Sequence, residues 1–301
     1  MMLKRLAIVT THPIQYYAPL FRLMQKRNAI ELKVFYTWGS AVLRNKYDPG
    51  FNQAIEWDIP LLEGYEYEFC ENISVEPGSH HYKGIDNPHL IRSILEYRAT
   101  HILVLGWNFK SHLKLLRYFK GKIPVLFRGD STLLDQPHGF SFKGLARKLY
   151  LNWVYGHVDV ALYVGSANKA YFKNAGLKEG QLVFAPHAID NMRFADADGT
   201  YEAEAILWRK QLNIKTEELV FLFAGKFEEK KSPAALIRAF KQIKLPHARL
   251  LMIGNGELET ALRQEAALDD RIIFLPFQNQ SRMPVVYRLG NVYVLPSSGP
   301  G

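Results

Sequence analysis

Short runs of apolar, β-branched and aromatic residues recur along the chain, separated by stretches with helical spacing. In the first half, Leu6–Val9, Leu32–Tyr36, Ile102–Leu105, Val125–Phe127, Val158–Val164 and Leu182–Ala185 are apolar on both faces, as strands covered on two sides must be. The alternation restarts more regularly at Leu219. Strands at Leu219–Ala224, Leu250–Ile253, Ile272–Leu275 and Val292–Leu295 alternate with helices at Ser232–Ile243, Glu257–Leu268 and Met283–Leu289. Two βαβ arrays make this an α/β protein of two Rossmann-like, doubly wound domains, expected to face each other across a cleft. The small polar stretch Asp196-Ala197-Asp198-Gly199-Thr200 marks the expected boundary, giving domains of residues 1–196 and 197–301.

Residues 40–100 are less regular. Asp48-Pro49-Gly50, Glu76-Pro77-Gly78 and Asp86-Asn87-Pro88 are turn signals around aromatic-rich pieces, so an insertion with short strands and a helix near Pro88–Tyr97 is expected. Loops of that length in a compact domain often carry function. The second array has four strands where a doubly wound half usually has about six, so that domain reads as incomplete and the sequence as C-terminally truncated.

Composition narrows the function classes. Of the 301 residues 48% are apolar and 22% charged, which excludes a disordered or fibrous chain. Lysine and arginine number 38 against 29 acids, and 38 − 29 = +9 favours anionic partners: phosphorylated ligands, nucleic acid or acidic lipid. Cys70 is the only cysteine, so no internal disulfide forms and a reducing, cytoplasmic setting is expected. Met1-Met2-Leu3-Lys4-Arg5 begins like a signal peptide, but polar Thr10-Thr11-His12 ends the apolar stretch too early. No apolar run reaches the roughly 18 residues of a membrane span, which leaves only peripheral membrane contact.

In open α/β sheets ligands bind beyond the carboxyl ends of strands. The turn Phe223-Ala224-Gly225-Lys226-Phe227-Glu228-Glu229-Lys230-Lys231-Ser232-Pro233 supplies a glycine for a tight bend and cations on both sides of it. It then opens a helix with Ser232 as N-cap and Pro233 in the first turn. Cations and a helix N-terminus suit a diphosphate. A solvated charge run, with Glu228 and Glu229 neutralising Lys230 and Lys231, is the plainer alternative.

Further motifs follow in order: Met252-Ile253-Gly254-Asn255-Gly256-Glu257-Leu258, Phe274-Leu275-Pro276-Phe277, and Tyr287-Arg288-Leu289-Gly290-Asn291-Val292-Tyr293-Val294-Leu295-Pro296-Ser297-Ser298. With Leu236-Ile237-Arg238-Ala239-Phe240 and Pro186-His187-Ala188-Ile189-Asp190-Asn191-Met192-Arg193-Phe194, the chain resembles retaining glycosyltransferase family 4, which has the GT-B fold. In that family's pattern Lys226 stands for an arginine and Lys231 for the lysine of a Glu-Lys-Gly run.

The resemblance implies a nucleotide-sugar donor held by the second domain and a glycan or lipid-linked acceptor held by the first, with retention of configuration and no metal or cofactor. Gly225, Lys226, Lys231, Gly254, Phe277 and Ser297 would bind the donor, the two lysines stabilising the leaving diphosphate. The family's Glu-x7-Glu motif, which follows the Pro-Ser segment, lies past the last residue, so weak or absent activity is expected of the chain as given. In the first domain the family's catalytic His falls at Gly129, whose neighbours Arg128 and Asp130 are the charged candidates at a strand end; a salt bridge capping the next helix is their bland alternative. His12, in a first turn without the family's glycines, is a further catalytic candidate or else packs beneath Pro13. Gln15 and Tyr16 are candidates for the acceptor. His80 and His81 with Glu76 and His89 read as exposed bystanders rather than metal ligands.

The expected enzyme is thus a cytoplasmic hexosyltransferase-type protein, its charge aiding peripheral contact with an anionic membrane face, with no nucleic acid partner. A nucleotide-sugar epimerase on the same fold would need paired acid/base carboxylates that the sequence does not reveal. A non-catalytic anion-binding protein at a membrane or nucleic-acid surface would use Lys226 and Lys231 on phosphates without chemistry, with steep salt dependence.

Overall fold

A computed structural model describes residues 4–40, 47–48, 50–135 and 142–297. The chain divides into two compact units, one of Met1–Asn45 and Pro60–Ile189, the other of Lys46–Ile59 and Asp190–Gly301. Ser298, the last residue of the quoted Pro-Ser segment, lies outside the described residues, as does Pro49.

The first unit is built on β1 (Arg5–Thr10), α1 (Ala18–Lys26) and β2 (Glu31–Tyr36). The short strands β3 (Tyr47–Asp48) and β4 (Gln53–Ala54) follow in sequence but form an antiparallel pair in the second unit. The first unit resumes with β5 (Glu66–Phe69), α2 (Leu90–Glu96), β6 (His101–Leu105), α3 (Lys110–Phe119), β7 (Val125–Arg128), α4 (Phe142–Tyr155), β8 (Val160–Tyr163), α5 (Ser166–Asn174) and β9 (Leu182–Phe184). Its strands lie in the order β5-β2-β1-β6-β7-β8-β9, every pair parallel. Ala7, Ile8 and Val9 are fully buried on alternating sides, because helices cover both faces of the sheet. The strand order reverses direction between β1 and β6, which makes the carboxyl ends of those two strands the natural ligand crevice.

The second unit continues with α6 (Asn191–Phe194), α7 (Thr200–Gln211), β10 (Leu219–Ala224), α8 (Pro233–Lys241), β11 (Ala248–Ile253), α9 (Glu259–Ala266), β12 (Ile272–Leu275), α10 (Met283–Arg288) and β13 (Val292–Tyr293). Its parallel sheet runs β12-β11-β10-β13, so the corresponding reversal lies between β10 and β13. Val220, Leu222, Phe223, Leu250 and Leu251 are completely buried in its two-sided core. Among the described residues no helix is long and apolar enough to cross a membrane.

Several elements differ in detail from expectation. The strands expected at Val158–Val164 and Val292–Leu295 are shorter. The division between units falls at Ile189 and Asp190, and the polar stretch at 196–200 lies inside the second unit. There the Asp196 carboxylate accepts hydrogen bonds from the backbone N–H groups of Tyr201 and Glu202 at 2.9 and 2.8 Å, so the polarity read as a linker is the entry to α7.

Candidate functional site

At the carboxyl ends of the first sheet, a cavity of about 240 Å3 is lined by Thr11, His12 and Tyr17 after β1, Gly106 after β6, and Arg128 and Asp130 after β7. Its position at the strand-order reversal is where doubly wound sheets hold ligands. His12 Nδ1 shares a 2.8 Å hydrogen bond with Thr11 Oγ1, and the ring meets Trp38 edge-on at 5.5 Å. Burial among these neighbours lowers its pKa, so the imidazole is neutral at pH 7 and offers one donor and one acceptor. Tyr16, half exposed, faces His187 edge-on at 6.4 Å. Its hydroxyl is pushed up to about 12, chiefly by burial, then by Tyr17 and the Asp130 carboxylate, with Arg128 opposing.

Arg128 is buried and spends its guanidinium on main-chain carbonyls: Nη1 donates to Ala185 O at 2.6 Å and Nη2 to Pro186 O at 3.2 Å, while Nε has no partner among the described residues. The salt bridge that could have capped the next helix is not what occupies it. Arg128 instead ties the end of β7 to the segment after β9, and Asp130 is left beside the cavity. Gln15 and Tyr16 lie in the same β1 turn but do not line the cavity, so the structure groups His12, Arg128 and Asp130 there and leaves Gln15 and Tyr16 at its margin.

The turn that floors this cavity is held by a residue no motif announced. His112, fully buried on α3, places Nδ1 at 2.6 Å from Gly106 O and Nε2 at 2.8 Å from Thr37 Oγ1. A carbonyl only accepts, so Nδ1 carries the proton and Nε2 accepts from the threonine hydroxyl. Burial lowers its pKa to about 4, with the Gly106 hydrogen bond opposing, which keeps the ring neutral. Gly106 itself has φ +79°, a conformation glycine adopts without cost.

In the second unit, the turn after β10 carries Gly225 and Lys226. Lys226 Nζ lies 2.8 and 3.0 Å from the two carboxylate oxygens of Asp48. Asp48 Oδ1 also accepts from the N–H groups of Gly50 and Phe51, at 2.8 and 3.2 Å, and the Phe51 ring sits 5.0 Å from the ammonium. The Lys226 side chain thus ends against Asp48 and Phe51, with the Gly50 and Phe51 N–H groups turned to the same carboxylate. Gly254, after β11, has φ +145°, and a Cβ there would collide with the Gly225 carbonyl oxygen; here close backbone approach does demand glycine. Gly225 is less constrained than expected, since a Cβ on it would meet Phe223 and Leu295 at 3.7 and 3.8 Å, ordinary contact distances.

Phe277 is packed by Phe51 at 4.7 Å and Trp57 at 6.4 Å, and its N–H donates to Asn255 Oδ1 at 2.7 Å. Ser297 is exposed, its N–H bonded to Leu295 O at 2.9 Å. Lys230 pairs with Glu228 at 3.7 Å, whereas Lys231 has no ion pair among the described residues. Ser232 is not the side-chain cap expected. It adopts φ +48° and turns its hydroxyl to Glu229 O, so Pro233 alone supplies the helix-start chemistry of α8. The residues sequence reasoning missed are Asp48, Phe51 and His112; the turn signal at 48–50 was visible, its destination was not.

Residues 205–299 match the family described as glycosyl transferases group 1. A curated relative, the D-inositol 3-phosphate glycosyltransferase of Mycobacteroides abscessus, is 33% identical over 97 residues, which is 30% of this chain and 21% of that protein. Even the longer alignments to such relatives span only 31% of their length. Among solved structures, sucrose-phosphate synthase from Thermosynechococcus elongatus superposes with TM-score 0.66 at 18% identity, covering 99% of this chain and 77% of the other. Anabaena HepE in complex with UDP and glucose gives TM-score 0.66 at 17% identity, covering 99% and 76%. The fold is GT-B. The family match falls on the unit that carries Lys226, Lys231 and Gly254.

Proposed function

We propose that this protein is a retaining glycosyltransferase that moves a hexose from a nucleotide sugar to a glycan or lipid-linked acceptor. The observation that carries the reading is Lys226: at the strand-order reversal of a Rossmann-like unit, its ammonium already grips an anion, the Asp48 carboxylate, where a donor phosphate oxygen would bind. Lys231, Gly225, Gly254, Phe277 and Ser297 complete the proposed donor site, with Gly254 permitting close approach of backbone to ligand. The cavity with His12, Arg128 and Asp130 is the proposed reaction end for the acceptor, flanked by Gln15 and Tyr16. The match to glycosyl transferases group 1 supports this assignment of halves.

In the proposed step, the bond from the sugar C1 to the diphosphate oxygen breaks and the nucleoside diphosphate leaves with the electron pair. The acceptor hydroxyl bonds to C1 from the same face and its proton passes to the departing phosphate. Lys226 and Lys231 stabilise the charge that develops on that phosphate, a contribution of a few kcal/mol for preorganised cations. The nucleotide sugar is a substrate, and the reaction as written calls for no resident cofactor. A cytoplasmic location with peripheral membrane contact belongs to the same proposal.

Differential scanning fluorimetry and calorimetry with UDP, GDP, ADP and CMP test the donor half. Selective stabilisation by one nucleoside diphosphate, lost in Lys226→Ala and Lys231→Ala, is expected. Equal binding of any polyanion would replace the transferase with a phosphate-binding protein. Anomeric analysis of a product tests retention, and an inverted product contradicts it.

A further inference from the structure

The helix α4 presents two apolar faces, and only one is buried. Leu151, Val154 and Tyr155 pack into the core of the first unit. Phe142, Leu145, Leu149, Tyr150 and Trp153, at spacing i, i+3, i+7, i+8 and i+11, form a second stripe. Phe142 is 85% exposed, Leu149 62% and Trp153 44%, a concentration of large apolar surface on one helix that ordinary solvation does not account for. Tyr150 and Trp153 are stacked at 5.7 Å, and Arg117 of α3 lies 5.6 Å from the Trp153 ring.

The charges around the stripe decide what covers it. Lys143, Arg147 and Lys148 flank it, and neither α4 nor α3 contains an acidic residue. A second copy of this chain would bring like charges together, which disfavours association. Protein interfaces are also depleted in lysine. Stacked Tyr and Trp rings with aliphatic neighbours and a rim of cations match the headgroup region of an anionic bilayer, where rings sit at the interface and ammonium groups meet lipid phosphates.

We infer that the outward face of α4 docks on an anionic lipid membrane. Tyr150 and Arg147 on this helix also line a cavity of about 450 Å3, walled by Trp107 and Phe109, that reaches Gly129 and Asp130. The docked face therefore adjoins a path to the end of β7. The docking gives a surface to the peripheral membrane contact of the proposed function, and delivery of a lipid-linked acceptor along that path rests on that reading; the surface itself is argued from α4 alone.

Co-sedimentation of the purified protein with extruded vesicles tests the inference, using phosphatidylcholine alone and phosphatidylcholine with one-third phosphatidylglycerol. The protein is expected to bind the anionic vesicles at least about tenfold more tightly than the neutral ones, with the difference shrinking as salt rises. Leu149→Gln with Trp153→Gln should abolish binding to both. Lys143→Gln with Lys148→Gln should erase the preference for the anionic lipid. These positions are exposed, so an unchanged melting transition verifies that the variants fold.

Absence of vesicle binding by the unaltered protein overturns the inference, as does equal binding by the Leu149/Trp153 variant. Self-association that needs Leu149 and Trp153, without vesicle binding, assigns the face to a second copy and overturns it too. Nucleotide calorimetry on the same variants separates the two proposals. Vesicle binding through α4 by a protein that binds no nucleoside diphosphate leaves the docking standing and removes the transferase.

Discussion

The ammonium of Lys226 is held between both carboxylate oxygens of Asp48, a residue 178 positions earlier in the chain. A cation proposed to receive a diphosphate therefore starts out occupied, and an incoming anion competes with that carboxylate. Partly exposed ion pairs of this kind contribute about 0.2–1 kcal/mol. Asp48→Asn is expected to tighten nucleoside diphosphate binding by up to about fivefold, and Lys226→Ala to weaken it by at least about tenfold. Isothermal calorimetry measures both. Weaker binding in Asp48→Asn would mean that the carboxylate orients Lys226 for the ligand and does not compete with it.

Gly254 and Gly225 make contrasting predictions from adjoining turns. Gly254→Ala must force a Cβ into the Gly225 carbonyl at a φ that L-residues rarely adopt, and should lower stability by about 3 kcal/mol or more. Gly225→Ala meets only ordinary contacts and should stay within about 1 kcal/mol. Urea unfolding of the two variants, compared at a common pH, distinguishes them. Equal losses would contradict the geometry of the β11 turn.

The buried His112 couples stability to acid. Its pKa in the fold, about 4, lies below the ordinary 6.5, so the folded protein resists its protonation while the unfolded chain accepts the proton. The stability carried by the neutral ring is fully present above pH 6.5 and is lost as pH falls through about 4, a total on the order of 3 kcal/mol. Unfolding curves for the unaltered protein and His112→Gln, taken at pH 7 and pH 4.5, should show a smaller acid loss in the variant. A parallel loss in both proteins would remove His112 as the cause.

Arg128 is predicted to matter for architecture as well as for any ligand. Arg128→Lys keeps the charge but cannot span the Ala185 and Pro186 carbonyls with a planar fork, and should cost about 1–3 kcal/mol. Chemical denaturation reads that loss. Full stability in the lysine variant would show that the two carbonyls find water instead.

Much of the architecture was legible because central parallel strands are apolar on both sides, and runs this short, rich in β-branched and aromatic residues, favour strands over buried helices. Leu219–Ala224 and Ile272–Leu275 coincide with the strands observed. The stretch at 196–200 misled because Asp, Gly and Thr serve a linker and a helix entry equally well; only the hydrogen bonds from Tyr201 and Glu202 to Asp196 tell them apart. Ser232 misled for a related reason, since a proline at the first helical position implies a capping residue before it, whereas the backbone at 232 had turned left-handed. The partners of Asp48 and His112 could not be read. Their roles depend on Lys226 and on Gly106 with Thr37, partners that tertiary folding alone brings within reach.

The strip from Lys46 to Ile59 belongs to the unit whose remainder begins at Asp190. A single cut at Ile189 therefore yields no faithful halves: the C-terminal fragment would lose the aromatic cover of Phe277 and the Asp58 carboxylate that binds Ser281, while the N-terminal fragment would keep an orphaned ribbon with nothing to dock on. Dissecting this molecule requires transplanting the ribbon onto the later piece.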